Sequence, residues 1–199
     1  MRSKARLDPF MIINTAADLA DEVGLDQISL AAIAARLGVK TPSLYNHIES
    51  LAELKKYLAV FGLNEIKMRI AKEAIGKSKD DAVMAVIGGY REFAEKRPGL
   101  YEATIRFSDS DFPARRAALD NLMEILMKVI EPYGLSFEDS CHQIRILRCM
   151  VHGFLALNAA GSFGNRLIDP EITFERMIKD FLHRNQILAQ SPNDPDAES

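Results

Sequence analysis

The sequence predicts an all-α protein of about nine helices, and three observations carry that prediction. Ala, Leu, Ile, Lys and Glu dominate while Gly and Pro number only 11 and 8 in 199 residues, a composition that favours helix throughout. Apolar residues recur at three- and four-residue spacing in segment after segment, each opened by Ser, Thr, Asp or Pro and several closed by Gly. No Asn-Gly or Asp-Gly hairpin occurs, and no two-residue alternation is sustained. The length allows one or two compact domains with a full core. With 48% apolar and 27% charged residues, the chain is too apolar for intrinsic disorder.

The elements follow in order. Asp8-Pro9 is an N-cap followed by Pro at the first helical position, and Phe10, Ile13, Ala17, Ala20 and Val23 repeat helically until Gly24, predicting a helix over 9–23. Ser29 caps a two-turn helix with Leu30, Ile33, Ala34 and Leu37 on its apolar face, and Gly38 is placed to end it in the left-handed conformation. Val39-Lys40 makes a tight turn. Thr41-Pro42, read as a second cap and Pro, opens a short helix through Ser43-Leu44-Tyr45-Asn46-His47-Ile48. Ser50-Leu51-Ala52-Glu53 is a capping box at the head of a long helix running through Leu54, Leu58, Phe61, Leu63, Ile66, Met68 and Ile70 towards Gly76. The same punctuation predicts helices over 78–96, after Pro98, over 113–132, over 136–160 and over 170–187. The polar, acidic, proline-bearing end Ser191–Ser199 is expected to fray. The implied organisation is a three-helix domain over 1–50, a linking helix over 51–77, a helical domain over 78–188 and a disordered tail over 189–199.

Several function classes drop out. No apolar run approaches the roughly 18 residues of a membrane span, and the N-terminus lacks a signal-like stretch; a cytoplasmic protein with no membrane partner is expected. Cys141 and Cys149 lie eight apart on one expected helix, roughly 12 Å along its axis, and cannot bridge each other there. Cys149 and His152 are neighbours one turn apart, a spacing open to a thiolate–imidazole pair or half of a metal site. Cys141 is about 16 Å from His152 along that axis, however, and no paired acidic ligands accompany them. No phosphate loop, dinucleotide fingerprint or nucleophile elbow occurs. No enzyme, metal or cofactor is therefore expected. A formal charge of −3 requires any nucleic-acid role to reside in a local patch.

That patch is sought in the first 50 residues. Two short helices joined by a Gly-containing turn, with a helix in front to bury their apolar faces, form the helix-turn-helix pattern. Leu30, Ile33, Ala34, Leu37, Val39 and Leu44 supply its small core. Lys40, Thr41, Ser43, Tyr45, Asn46 and His47 then point outward, with no carboxylate until Glu49. Phosphates repel carboxylates and base edges require mixed donors and acceptors, so this composition suits a major groove. A three-helix subdomain of unrelated function with the same caps would read similarly.

Residues 9–61, with Ile28-Ser29-Leu30-Ala31-Ala32-Ile33-Ala34, Leu37-Gly38-Val39, Pro42-Ser43-Leu44-Tyr45-Asn46-His47-Ile48 and Leu51-Ala52-Glu53-Leu54, resemble the DNA-binding domain of the TetR/AcrR family of transcriptional regulators. The resemblance implies a dimeric all-helical regulator that couples a helix-turn-helix to a variable ligand domain. It implies base or phosphate contacts for Thr41, Ser43 and Tyr45, and backbone contacts for Lys40 and His47. An arm of Arg2, Lys4 and Arg6 would reach phosphates or a neighbouring minor groove. This chain has Leu51 where family members commonly carry Lys or Arg, and Ala31 and Ala32 where they often carry a polar or basic residue. Lys55, Lys56 and Arg36 are candidates to compensate, Lys55 and Lys56 reading equally well as a solvated face. The acidic residues Asp18, Asp21, Glu22 and Asp26 cluster away from the presumed groove edge. The other reading left open is a helical effector-binding or scaffold dimer with weak or no DNA binding.

In the second half, Tyr90, Phe93-Ala94, Arg97-Pro98-Gly99-Leu100-Tyr101 and Val151-His152-Gly153-Phe154 resemble the TetR-type C-terminal domain named for a Trp-His-Gly motif, with Val151 in place of Trp. On the helical wheel of 136–160, Ile144, Leu147, Met150, Val151, Phe154 and Leu155 cover one arc, and Cys141, Arg145, Arg148, Cys149 and His152 another. The family's usual four-helix contact implies a homodimer through 136–160 and 170–187, using Phe174, Ile178, Phe181 and Leu182. Tyr90, Phe93, Tyr101, Ile105, Arg106, Phe107, Met123, Met127, Arg145, Cys149, His152 and Asn158 remain for an effector pocket, although methionines and aromatics at this spacing also serve as plain core. Arg145 and His152, seven apart on one face, are the pair expected to orient a small, largely hydrophobic effector bearing an acidic or carbonyl group. The whole then reads as a regulator, expected to repress, that binds a palindromic double-stranded operator and is released by that effector.

Overall fold

The computed structural model describes residues 7–107, 112–164 and 168–190. The described residues form eight α-helices: α1 (Pro9–Val23), α2 (Leu30–Leu37), α3 (Leu51–Ala74), α4 (Lys79–Lys96), α5 (Pro98–Arg106), α6 (Pro113–Ile130), α7 (Phe137–Ala159) and α8 (Pro170–Gln190). A six-residue 3-10 helix, Thr41–Asn46, stands between α2 and α3, and a single 3-10 turn, Glu131–Tyr133, follows α6. No strand occurs among the described residues, and the fold is all-α as the sequence predicts.

The caps explain most boundaries. The Asp8 carboxylate accepts from Met11 N at 2.8 Å, Ser29 Oγ from Ala32 N at 3.2 Å and Ser136 Oγ from Asp139 N at 3.0 Å. Each satisfies a backbone donor that the first helical turn leaves without a partner. Gly38 takes the left-handed conformation (φ 66°) that ends α2. At α3, Glu53 N donates to Ser50 Oγ at 3.1 Å, but the Glu53 carboxylate reaches Glu49 N at 2.6 Å, one residue earlier than a reciprocal capping box would place it. Thr41 is not a cap. It is the first residue of the 3-10 helix, Lys40 holds the cap position, and no side chain caps it. The chain turns so tightly after α2 that Ser43 N bonds Lys40 O at 2.9 Å, the i to i+3 pattern of a 3-10 turn. The last helix runs to Gln190, two residues into the expected tail; the rest of that tail, 191–199, lies outside the described residues.

Two compact units result. One comprises the described residues up to Arg69 together with those of 92–122; the other comprises 70–91 and the described residues from Met123 onward. Helices α3, α4 and α6 each contribute residues to both.

In the first unit, Ile12, Ala16, Ala17 and Ala20 of α1 are fully buried together with Ile33, Leu44, Leu54 and Leu58. Helix α5 packs on α1 at very close range. A Cβ on Gly99 would lie 2.1 Å from Ala20 O and 2.2 Å from its carbonyl carbon, so only glycine permits this crossing. The same contact is charged and hydrogen-bonded. Arg97 pairs with Asp21 through Nε and with Asp18 at 3.2 Å, Leu100 N donates to the Asp21 carboxylate at 3.0 Å, and Arg106 pairs with Asp26 at 2.7 Å. The acidic cluster noted in the sequence is thus the partner set of α5, and Glu22 completes it by pairing with Arg36 at 2.7 Å.

In the second unit, α7 buries Ser140, Gln143, Ile144, Leu147, Met150, Val151 and Phe154, and α8 buries Phe174, Ile178, Phe181 and Asn185. Phe154 and Phe174 stack with ring centroids 4.3 Å apart. Arg91 lies over the Phe174 ring at 5.1 Å and makes a bidentate pair with Glu171 at 2.6 and 3.0 Å. Tyr133 donates to one oxygen of Asp80 and Gln186 to the other. Phe174, Ile178 and Phe181 therefore serve the protomer's own core and are not available to a subunit interface as the sequence reading assigned them. An amphipathic pattern shows that a face is buried but not which partner buries it.

Candidate nucleic-acid interface and effector cavity

The helix-turn-helix is built around Leu44. This side chain is fully buried, with Ile33, Ala34 and Ile48 also buried, and it anchors an otherwise polar 3-10 helix. Lys40, Asn46 and Tyr45 are exposed, Tyr45 to 57%, while Thr41, Ser43 and His47 are half-buried. From Lys40 to Ile48 no carboxylate interrupts this face, so a polyanion meets donors and hydroxyls without like-charge repulsion. Ala31 and Ala32 are exposed on α2, and Leu51 is half-buried at the head of α3. Lys55 is half-buried and lies close enough to Asp26 to help hold its carboxyl below the usual range, the larger cause being the Arg106 hydrogen bond. Lys56 sits over the Phe112 ring at 5.9 Å, and that ring also meets Tyr57 edge-on. Arg2, Lys4 and Arg6 lie outside the described residues.

The residues suggested for an effector divide between the two units. Phe93, Tyr101, Arg106 and Phe107 belong to the first, Tyr90, Met123, Met127, Arg145, Cys149 and His152 to the second. Phe93 and Tyr101 meet edge-to-face at 6.3 Å, and Arg106 is engaged by Asp26 and Glu102. Ile105 and Asn158 are exposed.

The second unit contains a small, partly open cavity lined by Val86, Tyr90, Leu126, Leu147, Arg148, Val151 and His152. Its solvent-sized space is about 10 Å³, room for at most one water. Tyr90 and His152 meet edge-to-face with centroids 5.4 Å apart. Burial pushes the Tyr90 hydroxyl up to about 12. Burial, and then the charge of Arg148, hold His152 down to about 4, so its ring is neutral at pH 7. The basic residue in this wall is Arg148. Arg145 and Cys149 are exposed on α7. Arg145, seven residues before His152, and Arg148, four before it, share its arc of the wheel, and it is packing that places Arg148 and not Arg145 in the wall.

The described residues contain no group of three or more His, Cys, Asp or Glu able to hold a metal ion, and no described helix is long and apolar enough to cross a membrane.

Comparison with known proteins agrees with this architecture. Residues 12–54 match the description "Bacterial regulatory proteins, tetR family", and residues 83–181 match the tetracyclin repressor-like C-terminal domain. The chain is 31% identical over 175 residues to the HTH-type transcriptional regulator Rv0681 of Mycobacterium tuberculosis, covering 87% of this chain and 79% of that protein. It is 32% identical over 165 residues to the HTH-type transcriptional regulator YobS of Bacillus subtilis, covering 82% and 85%. Among solved structures, apo ActR of Streptomyces coelicolor matches with a TM-score of 0.71 at 19% identity over 94% of this chain and 98% of that one. TetR of Acinetobacter baumannii matches at 0.68 and 19% over 92% and 99%. The structural matches show the shared fold. The sequence matches show the lineage, which is one of DNA-binding regulators and not of enzymes. The chain belongs to the tetR family of bacterial regulatory proteins.

Proposed function

We propose that the chain is a ligand-responsive repressor that binds a palindromic operator as a homodimer and leaves it when a small hydrophobic effector binds. The observation that carries this reading is the Thr41–Asn46 helix: one fully buried residue, Leu44, beneath an exposed face of Lys40, Tyr45 and Asn46 with no acid. Lys40, Thr41, Ser43, Tyr45, Asn46 and His47 are the proposed contacts, supplemented by Lys55 and the arm of Arg2, Lys4 and Arg6. A two-fold dimer presents two such helices to successive major grooves, about 34–36 Å apart. Repression is the simpler sign of action, because occupying a promoter requires no further contacts.

The dimer reading is supported by an exposed face of α7 carrying Ile146, Cys149, Gly153, Ala156 and Leu157. Apolar and small side chains at that spacing suit a close isologous helix contact. The contributions of α8 come from exposed residues such as Ile172 and Ile187. The effector reading is supported by the Tyr90–His152 cavity. It is also supported by relatives: ActR of Streptomyces coelicolor has been solved with (S)-DNPA and a variant of Acinetobacter baumannii TetR with minocycline. An effector acts by binding one arrangement of the dimer more tightly than the other. Helix α3, which carries the head of the helix-turn-helix unit on through Ala74, is the proposed lever.

The test is a fluorescence-anisotropy titration of DNA upstream of the chain's own gene at several salt concentrations. Nanomolar binding that weakens steeply with salt is expected. Absence of binding at low salt to that DNA and to a genomic fragment library supports the scaffold reading and overturns this one.

A further inference from the structure

Among the described residues, Arg148 lacks the carboxylate partner that several other arginines have. The arginines of this protein are repeatedly matched with carboxylates: Arg36 with Glu22, Arg69 with Glu92, Arg91 with Glu171, Arg97 with Asp21 and Arg106 with Asp26. Arg148 has no carboxylate partner among the described residues. Its Nε is buried with no hydrogen-bond partner, and its Nη1 meets only the thioether of Met123, at 3.9 Å. The other residues of its cavity, Val86, Tyr90, Leu126, Leu147, Val151 and His152, carry no negative charge. The Arg148 side chain is half-buried, with its Nε shielded from water against this apolar wall. A shielded guanidinium donor left without an acceptor is costly, and an anion that supplies one relieves that cost.

From this geometry we infer that Arg148 is the effector-specificity residue of the cavity, and that the effector is a carboxylate whose oxygens take Nε and Nη1 of Arg148 while its apolar body lies against Tyr90, Leu126 and Val151. The proposal rests on the effector reading above and narrows it to one chemical class. The planar fork of the guanidinium matches a carboxylate in two parallel hydrogen bonds. The group displaced is the Met123 thioether, a weak acceptor on a flexible side chain that moves at little cost. The same movement opens a cavity that is otherwise too small for a ligand. Burial and the charge of Arg148 both keep His152 neutral at pH 7, so the ring does not compete with the guanidinium for the anion.

The experiment uses two matched pairs, octanoate with octanamide and 3-phenylpropanoate with 3-phenylpropanamide. Each is titrated by calorimetry into the wild-type protein and into Arg148→Gln, Arg148→Lys, Tyr90→Ala and, as a surface control, Arg145→Gln. In the wild type and in Arg145→Gln at least one carboxylate is expected to bind about 10- to 100-fold more tightly than its amide. Arg148→Gln removes that preference and Arg148→Lys restores part of it. Thermal unfolding without ligand supplies a second readout. Arg148→Met, which deletes a shielded donor without an acceptor and keeps the stem, is expected to melt at or above the wild-type temperature. A lower melting temperature shows that Arg148 already has a native partner and overturns the proposal. If acid and amide bind equally and Tyr90→Ala weakens both, the cavity stands and the carboxylate assignment falls. If no member of either pair binds, both fall.

Discussion

Replacing Gly99 by alanine adds one methyl group to the helix pair that holds the first unit together. The added Cβ would lie 2.1 Å from Ala20 O, 2.2 Å from Ala20 C and 2.8 Å from Asp21 N, all backbone atoms, against an ordinary contact of 3.4–4 Å. Backbone cannot rotate away as a side chain can, so α5 must lift from α1 by roughly 1 Å or more. That movement loosens Leu100 and Ala103, both fully buried, together with the Leu100–Asp21 and Arg97–Asp21 hydrogen bonds. Overpacking of this kind costs about 1–3 kcal/mol before lost hydrogen bonds are counted, and alanine's better helix propensity returns up to about 1 kcal/mol. A net loss of about 2 kcal/mol corresponds to a melting temperature lower by roughly 4–8 °C at this chain length. Thermal and urea unfolding followed by far-UV circular dichroism measure it. Gly88→Ala, where the new Cβ meets nothing within 4 Å, is the control and should be neutral or stabilising. A Gly99→Ala protein that melts within 1 °C of wild type would refute the close crossing of α5 on α1.

Leu44→Ala, at a fully buried position, is expected to destabilise by about 2–5 kcal/mol. Tyr45→Ala, at 57% exposure, leaves the melting curve within about 0.5 kcal/mol of wild type yet weakens operator binding; parallel unfolding and anisotropy titrations separate the two. His152 links stability to pH through its depressed folded-state value. Below about 6.5 the unfolded chain takes up a proton that the folded chain refuses until about 4, so its contribution to stability falls as pH drops through that window and is constant above it. The ceiling on this loss is about 3 kcal/mol, and solvent access to the ring keeps the observed value lower. His152→Gln should flatten the wild-type decline between pH 6.5 and 4, and equal slopes in the two proteins would sink the assignment. Gly153→Trp places a bulky ring on the exposed α7 face where nothing lies within 4 Å. It should yield a folded 22.2 kDa monomer by light scattering, and a surviving dimer would locate the interface elsewhere.

Helix positions and types were legible in the residues because caps are local. Asp8, Ser29 and Ser136 each satisfy a backbone donor three residues on, and Gly38 supplies a left-handed turn that few other residues adopt. The exposed polar face of the 3-10 helix was legible for a related reason: one apolar residue, Leu44, among polar neighbours leaves a short helix little choice of which side to bury. The division of partners was not legible. Phe174, Ile178 and Phe181 carry the pattern of a buried stripe whether the covering surface comes from the same chain or from another. Arg145 and Arg148 share an arc of the wheel, and only packing turned the second towards Tyr90 and His152.

By itself, then, the sequence determined the helices, their order, the helix-turn-helix and the family, all of which depend on interactions spanning a few residues or on patterns that recur across relatives. The tertiary structure alone decided that Asp18, Asp21 and Asp26 serve Arg97 and Arg106, residues about 80 positions away in the chain. It decided equally that α5 packs with the helix-turn-helix unit and that Arg148 meets its cavity without a carboxylate. Pairings over such sequence separations depend on where whole helices come to rest, and local spacing carries no record of that.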